Sequence, residues 1–314
     1  MAPVSQPNPA DAANAVRIAL GAEVRNAHRF PTGLAHFVYD VELADGGRVV
    51  ARLAADGNDD ELRQGVEWSK LLRPRGVPLP AELANDFGRR TVPFAFVLLE
   101  RLPGTDLGLV YPSLSRPDKA SIVAELVRIQ RLVHALPTGT RHGYAAVPDG
   151  GSFSTWTEMV ESSHARVVAQ LSRQGRNTPI VDRVGARLHA LRPYLDRVVP
   201  RAFLDDTTTK NVIVHDGRLS GIVDVDGICY GDPLFTLGIT HMSFLQLGYD
   251  LHYMEAWADE LRLSADEREV VRVYAAMFGS SFLAEMAVRY NREEEPVVDP
   301  SAVARLLANI ETLI

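Results

Sequence analysis

An α+β fold in two lobes is what the sequence predicts, and three observations predict it. Phe37–Leu43 and Arg48–Leu53 alternate apolar and polar residues around Asp45-Gly46-Gly47, a strong hairpin signal in the first part of the chain. A second hairpin pattern lies far downstream, residues 212–214 and 219–223 around His215-Asp216-Gly217-Arg218, with glycine where a positive φ is wanted. Most of the remainder beyond residue 116 has helical periodicity. The chain has 314 residues of which 46% are hydrophobic, enough to bury a full core and better suited to two lobes than to one.

Taken in order, residues 9–22 read as a short helix after a polar arm, and the 37–53 hairpin follows. Residues 59–73 form the next helix. Residues 93–101, PFAFVLLER, are almost continuously apolar, as a buried strand requires, and Leu102-Pro103-Gly104 breaks the run. Residues 117–136 carry Ile122, Leu126, Ile129 and Val133 as a helical stripe, which makes His134 a packed core histidine. Residues 153–171 and 180–195 are further helices, with Trp156 an interior anchor. Four more follow at 234–247, 251–263, 265–290 and 300–313.

Between these helices lies the stretch that carries chemistry. Residues 202–204 are a short buried strand, and Asp-Asp-Thr-Thr-Thr-Lys after them has turn composition without an apolar period. Asn211 opens the hairpin and its return strand brings Asp224 back beside Asn211, so two hard oxygen donors can share one cation. Asp206, on the loop before Asn211, is then placed to act as a base. A phosphoryl transfer needs little more than this: a carboxylate for the acceptor's proton and oxygen ligands for magnesium.

The segment resembles the catalytic core of the aminoglycoside phosphotransferase family, relatives of the choline kinases and more distantly of the protein kinases. The family pattern is His-x-Asp-x-x-x-x-Asn, a hairpin, Ile-Asp-(Trp/Phe) and Gly-Asp-Pro. Here it reads Leu204-Asp205-Asp206 through Asn211, Val223-Asp224-Val225 and Gly231-Asp232-Pro233. The resemblance implies a bilobal, protein-kinase-like fold: residues 1–101 as a nucleotide-binding lobe with an antiparallel sheet and one helix, and residues 102–314 as a mainly helical catalytic and substrate-binding lobe. It implies an ATP-dependent phosphotransferase, with GTP as the other donor, acting with Mg2+ on a hydroxyl of an aminoglycoside-, sugar- or amino-alcohol-like molecule. Asp206 would be the base, Asn211 and Asp224 the metal ligands, and Lys210 either a neighbour of the transferring phosphoryl group or a solvated loop lysine.

The departures mark a divergent subgroup. Leu204 stands in the histidine position, so the hydrogen bonds of that ring must come from elsewhere; Asp205 replaces a small residue, and Thr236 sits where an aspartate commonly follows Gly-Asp-Pro. Arg52 occupies the strand position where kinases carry a phosphate-binding lysine, and the only lysines are Lys70, Lys119 and Lys210. Arginine keeps the charge and changes the geometry to a fork. The following helix should offer a carboxylate to steady Arg52, Glu67 or alternatively Glu61, although an ungapped count back from Gly76-Val77-Pro78 puts Gly65 at that place. Thr32 and Gly33 fall where a flexible loop would cover nucleotide phosphates, and main-chain groups near Glu100 and Leu102 would bond the base of the nucleotide.

Other readings of the same residues are open. Asp224-Val225-Asp226-Gly227 matches the signature of haloacid-dehalogenase-type phosphatases, which need the first aspartate at the end of a parallel strand. A catalytically silent nucleotide-binding module is kept open by Leu204 and Arg52. Asp226 is a further metal ligand, a support for one, or an exposed carboxylate, and Asp232 pins the loop after Cys229 to main chain.

A net charge of −7, from 40 acidic and 33 basic residues, argues against nucleic acid as a partner and is compatible with a cationic small molecule. Glu293-Glu294-Glu295 and Asp299 read as a solvated charge run rather than a polyamine site. A single cysteine, Cys229, excludes an internal disulfide, and no apolar run is long enough for a signal sequence or a membrane span. The expected compartment is the cytoplasm.

Overall fold

A computed structural model describes residues 6–31, 36–54, 59–146, 148–291 and 294–314. The chain forms two compact units: Met1–Pro103 with Gly221–Gly227 and Tyr290–Glu293, and Gly104–Ser220 with Ile228–Arg289 and Glu294–Ile314.

The first unit opens with helix α1 (Pro9–Leu20), whose N-terminus is closed by a capping box of Asn8 and Asp11 and whose C-terminus ends on Gly21 at φ 64°. Five antiparallel strands follow in the spatial order β1-β2-β3-β5-β4: β1 (Val24–Arg29), β2 (Phe37–Leu43), β3 (Arg48–Leu53), β4 (Glu82–Asp86) and β5 (Phe96–Glu100). The β2–β3 turn is the expected one, with Gly46 at φ 91°. Strand alternation sends Phe37, Tyr39, Val41, Val49, Ala51, Leu53, Phe96 and Leu98 to one face, where they pack on Ala12, Ala15 and Val16 of α1. The Tyr39 hydroxyl donates to the Pro7 carbonyl at 2.6 Å, which ties the residues just before α1 to the sheet.

The opposite face of the sheet carries Arg52 and Val97, which lie directly across from one another. Helix α2 (Asp59–Leu72) lays Leu62 and Val66 against Val97, Ala54 and Ala95. Asp40, buried on β2, accepts from Arg48 Nε at 3.0 Å and lies 3.5 Å from Arg101 Nε. The return of residues 221–227 to this unit is fixed where Ile222 N–H donates to the Pro78 carbonyl at 2.9 Å.

The second unit begins with β6 (Thr105–Asp106) and a one-turn helix α3 (Leu107–Val110), followed by α4 (Arg116–His134) and β7 (Gly143–Ala145). Helices α5 (Trp156–Arg173), α6 (Pro179–Ala190) and α7 (Arg192–Leu195) come next, the last two split at Leu191-Arg192-Pro193 rather than continuous as expected. Then come β8 (Arg201–Phe203), β9 (Val212–His215), β10 (Arg218–Ile222) and β11 (Ile228–Gly231), and helices α8 (Leu234–Leu247), α9 (His252–Glu260), α10 (Ala265–Glu285) and α11 (Pro300–Glu311). Two three-stranded sheets, β10-β9-β6 and β7-β11-β8, hold the loop segments between helices. α10 is buried along most of its length and packs on α8, α5, α6 and α11.

The Gly-Asp-Pro turn is a core element of this unit. Gly231 lies so close to Trp156 that an added Cβ would stand 2.1 Å from its ring. Asp232 accepts from Leu234 N–H at 3.0 Å, from the Tyr194 hydroxyl at 2.9 Å and from the Tyr274 hydroxyl at 2.8 Å; the Trp156 indole in turn donates to Tyr274 at 2.8 Å. The main-chain bond expected of Asp232 is present, with two phenols added to it.

The phosphatase alternative fails on topology: Asp224 follows a two-residue hairpin, with Asp216 at φ 48° and Gly217 at φ 73°, and not the first strand of a parallel sheet. Among the described residues, no helix is long and apolar enough to cross a membrane.

Candidate active site

In the second unit the 206–211 loop is built around its own polar groups. Asp206 Oδ1 accepts from the Thr208 hydroxyl at 2.7 Å and from Thr208 N–H at 3.3 Å, a side-chain turn that fixes the carboxylate while the residue remains exposed. Asn211 Nδ2 donates to the Asp206 carbonyl at 3.1 Å. Because the partner is a carbonyl, the amide nitrogen is committed inward and the amide oxygen, a hard donor suited to magnesium, is the atom left to face a ligand.

With leucine at position 204, two other residues hold the main chain at the start of this loop. Gln130 of α4 donates to the Leu204 carbonyl at 2.7 Å and accepts from Leu204 N–H at 3.0 Å. The Thr236 hydroxyl on α8 lies within hydrogen-bond reach of both the Leu204 and the Asp205 carbonyls. Gln130 is 6% exposed and Thr236 1%, so both bonds are made away from water. Thr236 is visible in the sequence as a departure from the family pattern, whereas Gln130, between Ile129 and Arg131 on a helical stripe, carries no local sign of its partner.

Asp205 departs from the family pattern in a way that has an electrostatic consequence. Burial first, and then the Asp206 charge, push its carboxyl up from 3.8 to about 6, partly offset by a hydrogen bond from Tyr144. A carboxyl raised in the folded state contributes stability below its unfolded value and loses that contribution as pH rises through about 6. Asp205→Asn is therefore expected to be neutral near pH 4 and to stabilise the protein by about 1–3 kcal/mol above pH 7. Paired urea titrations at the two pH values measure it, and equal differences at both would refute the assignment.

Two charged groups lie near Asp206, Lys210 and Glu285. Lys210 is exposed at the end of the loop. Glu285, at the end of α10, lies near enough to both for Asp206 to raise its carboxyl and Lys210 to lower it, with burial the largest influence and the net shift upward. Glu285 falls inside the helix expected over 265–290, which ends five residues earlier than expected.

In the first unit, Arg52 meets its partners. Its Nη1 donates to Asp226 Oδ1 at 2.7 Å and its Nη2 to Asp226 Oδ2 at 2.6 Å, a two-pronged ion pair, while Nη2 also reaches Asp224 Oδ1 at 2.8 Å. The Asp224 side chain is 56% exposed and that of Asp226 21%. Asp224 adopts φ 63°, a left-handed conformation uncommon outside glycine that turns the chain sharply after β10. Burial would raise the Asp226 carboxyl, but the Arg52 guanidinium and the His36 ring, 3.5 Å away, more than offset it and hold Asp226 below the usual carboxylate range. A cavity of about 40 Å³ adjoins this cluster, bounded in part by Gly65, Val66, Val97 and Leu99.

Glu67 is not brought to Arg52: it bonds Lys70 at 2.9 Å on the exposed side of α2. Glu61, the alternative, stands 3.4 Å from His36 and acts on Arg52 only through its charge. Glu100 closes β5, its N–H donating to the Ala81 carbonyl at 2.8 Å and its carboxylate accepting from Ala81 N–H at 3.1 Å. The Leu102 carbonyl accepts from the Arg101 guanidinium at 2.9 Å. Gly33 lies outside the described residues. Asp206 and Asn211 thus share one loop of the second unit, and Arg52, Asp224 and Asp226 share one cluster of the first.

Comparison with solved structures reproduces this architecture. A thermostable mutant of aminoglycoside phosphotransferase APH(4)-Ia, in ternary complex with ADP and hygromycin B, superposes with a TM-score of 0.69 at 15% identity, covering 96% of this chain and 97% of that one. Wild-type aminoglycoside 2′-phosphotransferase-IIIa in complex with GDP gives 0.69 at 14% identity, with 96% of each chain covered. A candidate fructosamine-3-kinase from Thermobifida fusca gives 0.62 at 17% identity, over 96% of this chain and 98% of that one. No curated protein sequence matches the chain. The phosphotransferase enzyme family APH matches residues 27–274, which include both hairpins, the 206–211 loop and the Gly-Asp-Pro turn, and this chain belongs to that family.

Proposed function

We propose that this phosphotransferase moves the γ-phosphoryl group of ATP to a hydroxyl of a small polar molecule, aminoglycoside-, sugar- or amino-alcohol-like, with Mg2+. The observation that carries the reading is the 206–211 loop, in which one carboxylate is fixed by Thr208 and one amide is locked with its oxygen outward. Asp206 accepts the acceptor's hydroxyl proton through the oxygen that Thr208 leaves free. Asn211 and Asp224 are the residues that would hold the metal, which when bound neutralises charge on the phosphates. Arg52, its fork held by Asp226, offers its charge and remaining N–H hydrogens to nucleotide phosphate oxygens, and Lys210 stands by the transferring group. Most of the acceleration is placement and charge neutralisation.

The acceptor class is supported by charge. Glu285 and Asp206 put two carboxylates within electrostatic range of one another against one cation, Lys210, an excess of negative charge that favours an amine-bearing acceptor. Use of ATP and Mg2+ makes the cytoplasm the proposed compartment.

The test is an acceptor screen with the purified chain, ATP and GTP in parallel, read by nucleoside diphosphate release and by 31P NMR of the product. Aminoglycosides, ketoamine sugars and amino alcohols form the panel. Mg2+-dependent phosphorylation of one class, abolished by a chelator, is the expected result. Nucleotide binding without turnover on any acceptor would favour the silent module instead.

A further inference from the structure

We propose that Asp226 is the positioning residue for Arg52, and that Gly65 is the clearance that lets it reach. The proposal rests on the reading of Arg52 as the phosphate-binding group. It goes beyond that reading by moving the supporting carboxylate from the helix, where kinases of this kind were expected to keep it, to the segment just after the metal-binding aspartate.

Three observations carry it. An ungapped count puts Gly65, rather than the expected Glu67 or Glu61, at the helix position that would supply a carboxylate, and a Cβ there would stand 2.7 Å from Asp226 Oδ1, 3.3 Å from the Val225 carbonyl and 3.5 Å from Asp226 Cα. Gly65 is inside α2 and has no left-handed conformation to explain it, so the residue disfavours its own helix unless close approach requires it. The space it leaves is filled by the Asp226 carboxylate, which bonds both terminal nitrogens of Arg52.

The second observation separates the two aspartates. The Arg52 side chain is 11% exposed and Asp226 21%, against 56% for Asp224, so the pair with Asp226 is the one most shielded from water. Asp224 contacts, at 2.8 Å, an Arg52 nitrogen that Asp226 already holds. Asp224 can therefore turn to a cation without leaving Arg52 unpaired.

The third is that the other candidates are engaged elsewhere. Glu67 bonds Lys70, and Glu61 faces His36. Arg52, Gly65 and Asp226 are thus one coupled change: a longer, forked cation, a missing side chain on the helix, and a carboxylate supplied from the opposite side. A lysine would use one point of charge where the arginine spans both oxygens of Asp226.

The experiment measures nucleotide affinity with a fluorescent ATP analogue in Mg2+, displaced by ATP, together with kcat, the KM for ATP and the melting temperature. Wild type is compared with Asp226→Asn, Gly65→Ala and the double variant. Asp226→Asn is expected to weaken nucleotide binding roughly 10²-fold through misplacement of Arg52. Gly65→Ala keeps every charged group and is expected to weaken it in the same direction, because the new methyl displaces Asp226. In the double variant the alanine adds almost nothing, and this non-additivity is the signature of a shared mechanism.

Wild-type affinity in Asp226→Asn, or a lowered melting temperature with unchanged affinity, would show a structural staple and overturn the proposal. Additive losses in the double variant would overturn the role of Gly65. Should Asp226→Asn not fold, Gly65→Ala alone decides by its affinity. Absence of nucleotide binding by wild type would instead refute the donor site, and the role of Asp226 with it.

Discussion

Asp206→Asn is expected to lower kcat about 10³-fold and to leave nucleotide affinity within about twofold of wild type. The structure explains why the change should be that selective. Asparagine keeps the shape of the side chain and an oxygen for the Thr208 hydroxyl, and Asn211 bonds the main-chain carbonyl of residue 206, which the substitution does not touch. What disappears is the basic oxygen alone. Single-turnover transfer measured beside equilibrium nucleotide binding separates the two effects. A fully active variant would mean that the proton leaves by another route, and equal losses in both quantities would mean that the loop had been disturbed.

The second large effect is on stability. Asp232→Ala is expected to cost about 3–5 kcal/mol, read as a lower urea midpoint with an unchanged slope. Removing the carboxylate takes away an acceptor for the Tyr194 and Tyr274 hydroxyls and for Leu234 N–H together, and Tyr274 also links to the Trp156 indole. Burial raises the Asp232 carboxyl while the Leu234, Tyr274 and Tyr194 bonds lower it, and the net shift is upward. A loss below about 1 kcal/mol would show that water replaces the carboxylate, as at an ordinary surface site.

Much of the fold was legible because strong periodicity and turn chemistry agreed. The 37–53 hairpin falls on Phe37–Leu43 and Arg48–Leu53, and the second hairpin within a residue of its expected limits. β1 and β4 escaped because they are edge strands of the first sheet, Val-Arg-Asn-Ala-His-Arg and Glu-Leu-Ala-Asn-Asp, with water on much of their surface and too few apolar residues to show alternation. β7 and β11 are only three and four residues long, below the length at which a period can be read.

At the site, spacing along the chain identified Asp206, Asn211 and Asp224 as candidates, since a loop and a hairpin are local structures. The partners of Arg52 were not legible, because Asp226 is 174 residues away and its approach depends on the absence of a side chain at Gly65. Gln130 was equally hidden, 74 residues before the backbone it holds. Long-range hydrogen bonds leave no local pattern.

The tether of Leu204 by Gln130 and Thr236, with no imidazole in it, bears on how acidity reaches the enzyme. Histidine changes charge near pH 6.5, so a loop tied by that ring loosens or tightens as the medium crosses neutrality. An amide and a hydroxyl do not ionise across that interval, and the tether on Leu204 stays the same from mildly acidic to mildly alkaline solution. The titrating group in this segment is instead Asp205, whose carboxyl is pushed up to about 6, so a change in activity near that pH would report on a carboxylate beside the base and not on Gln130 or Thr236.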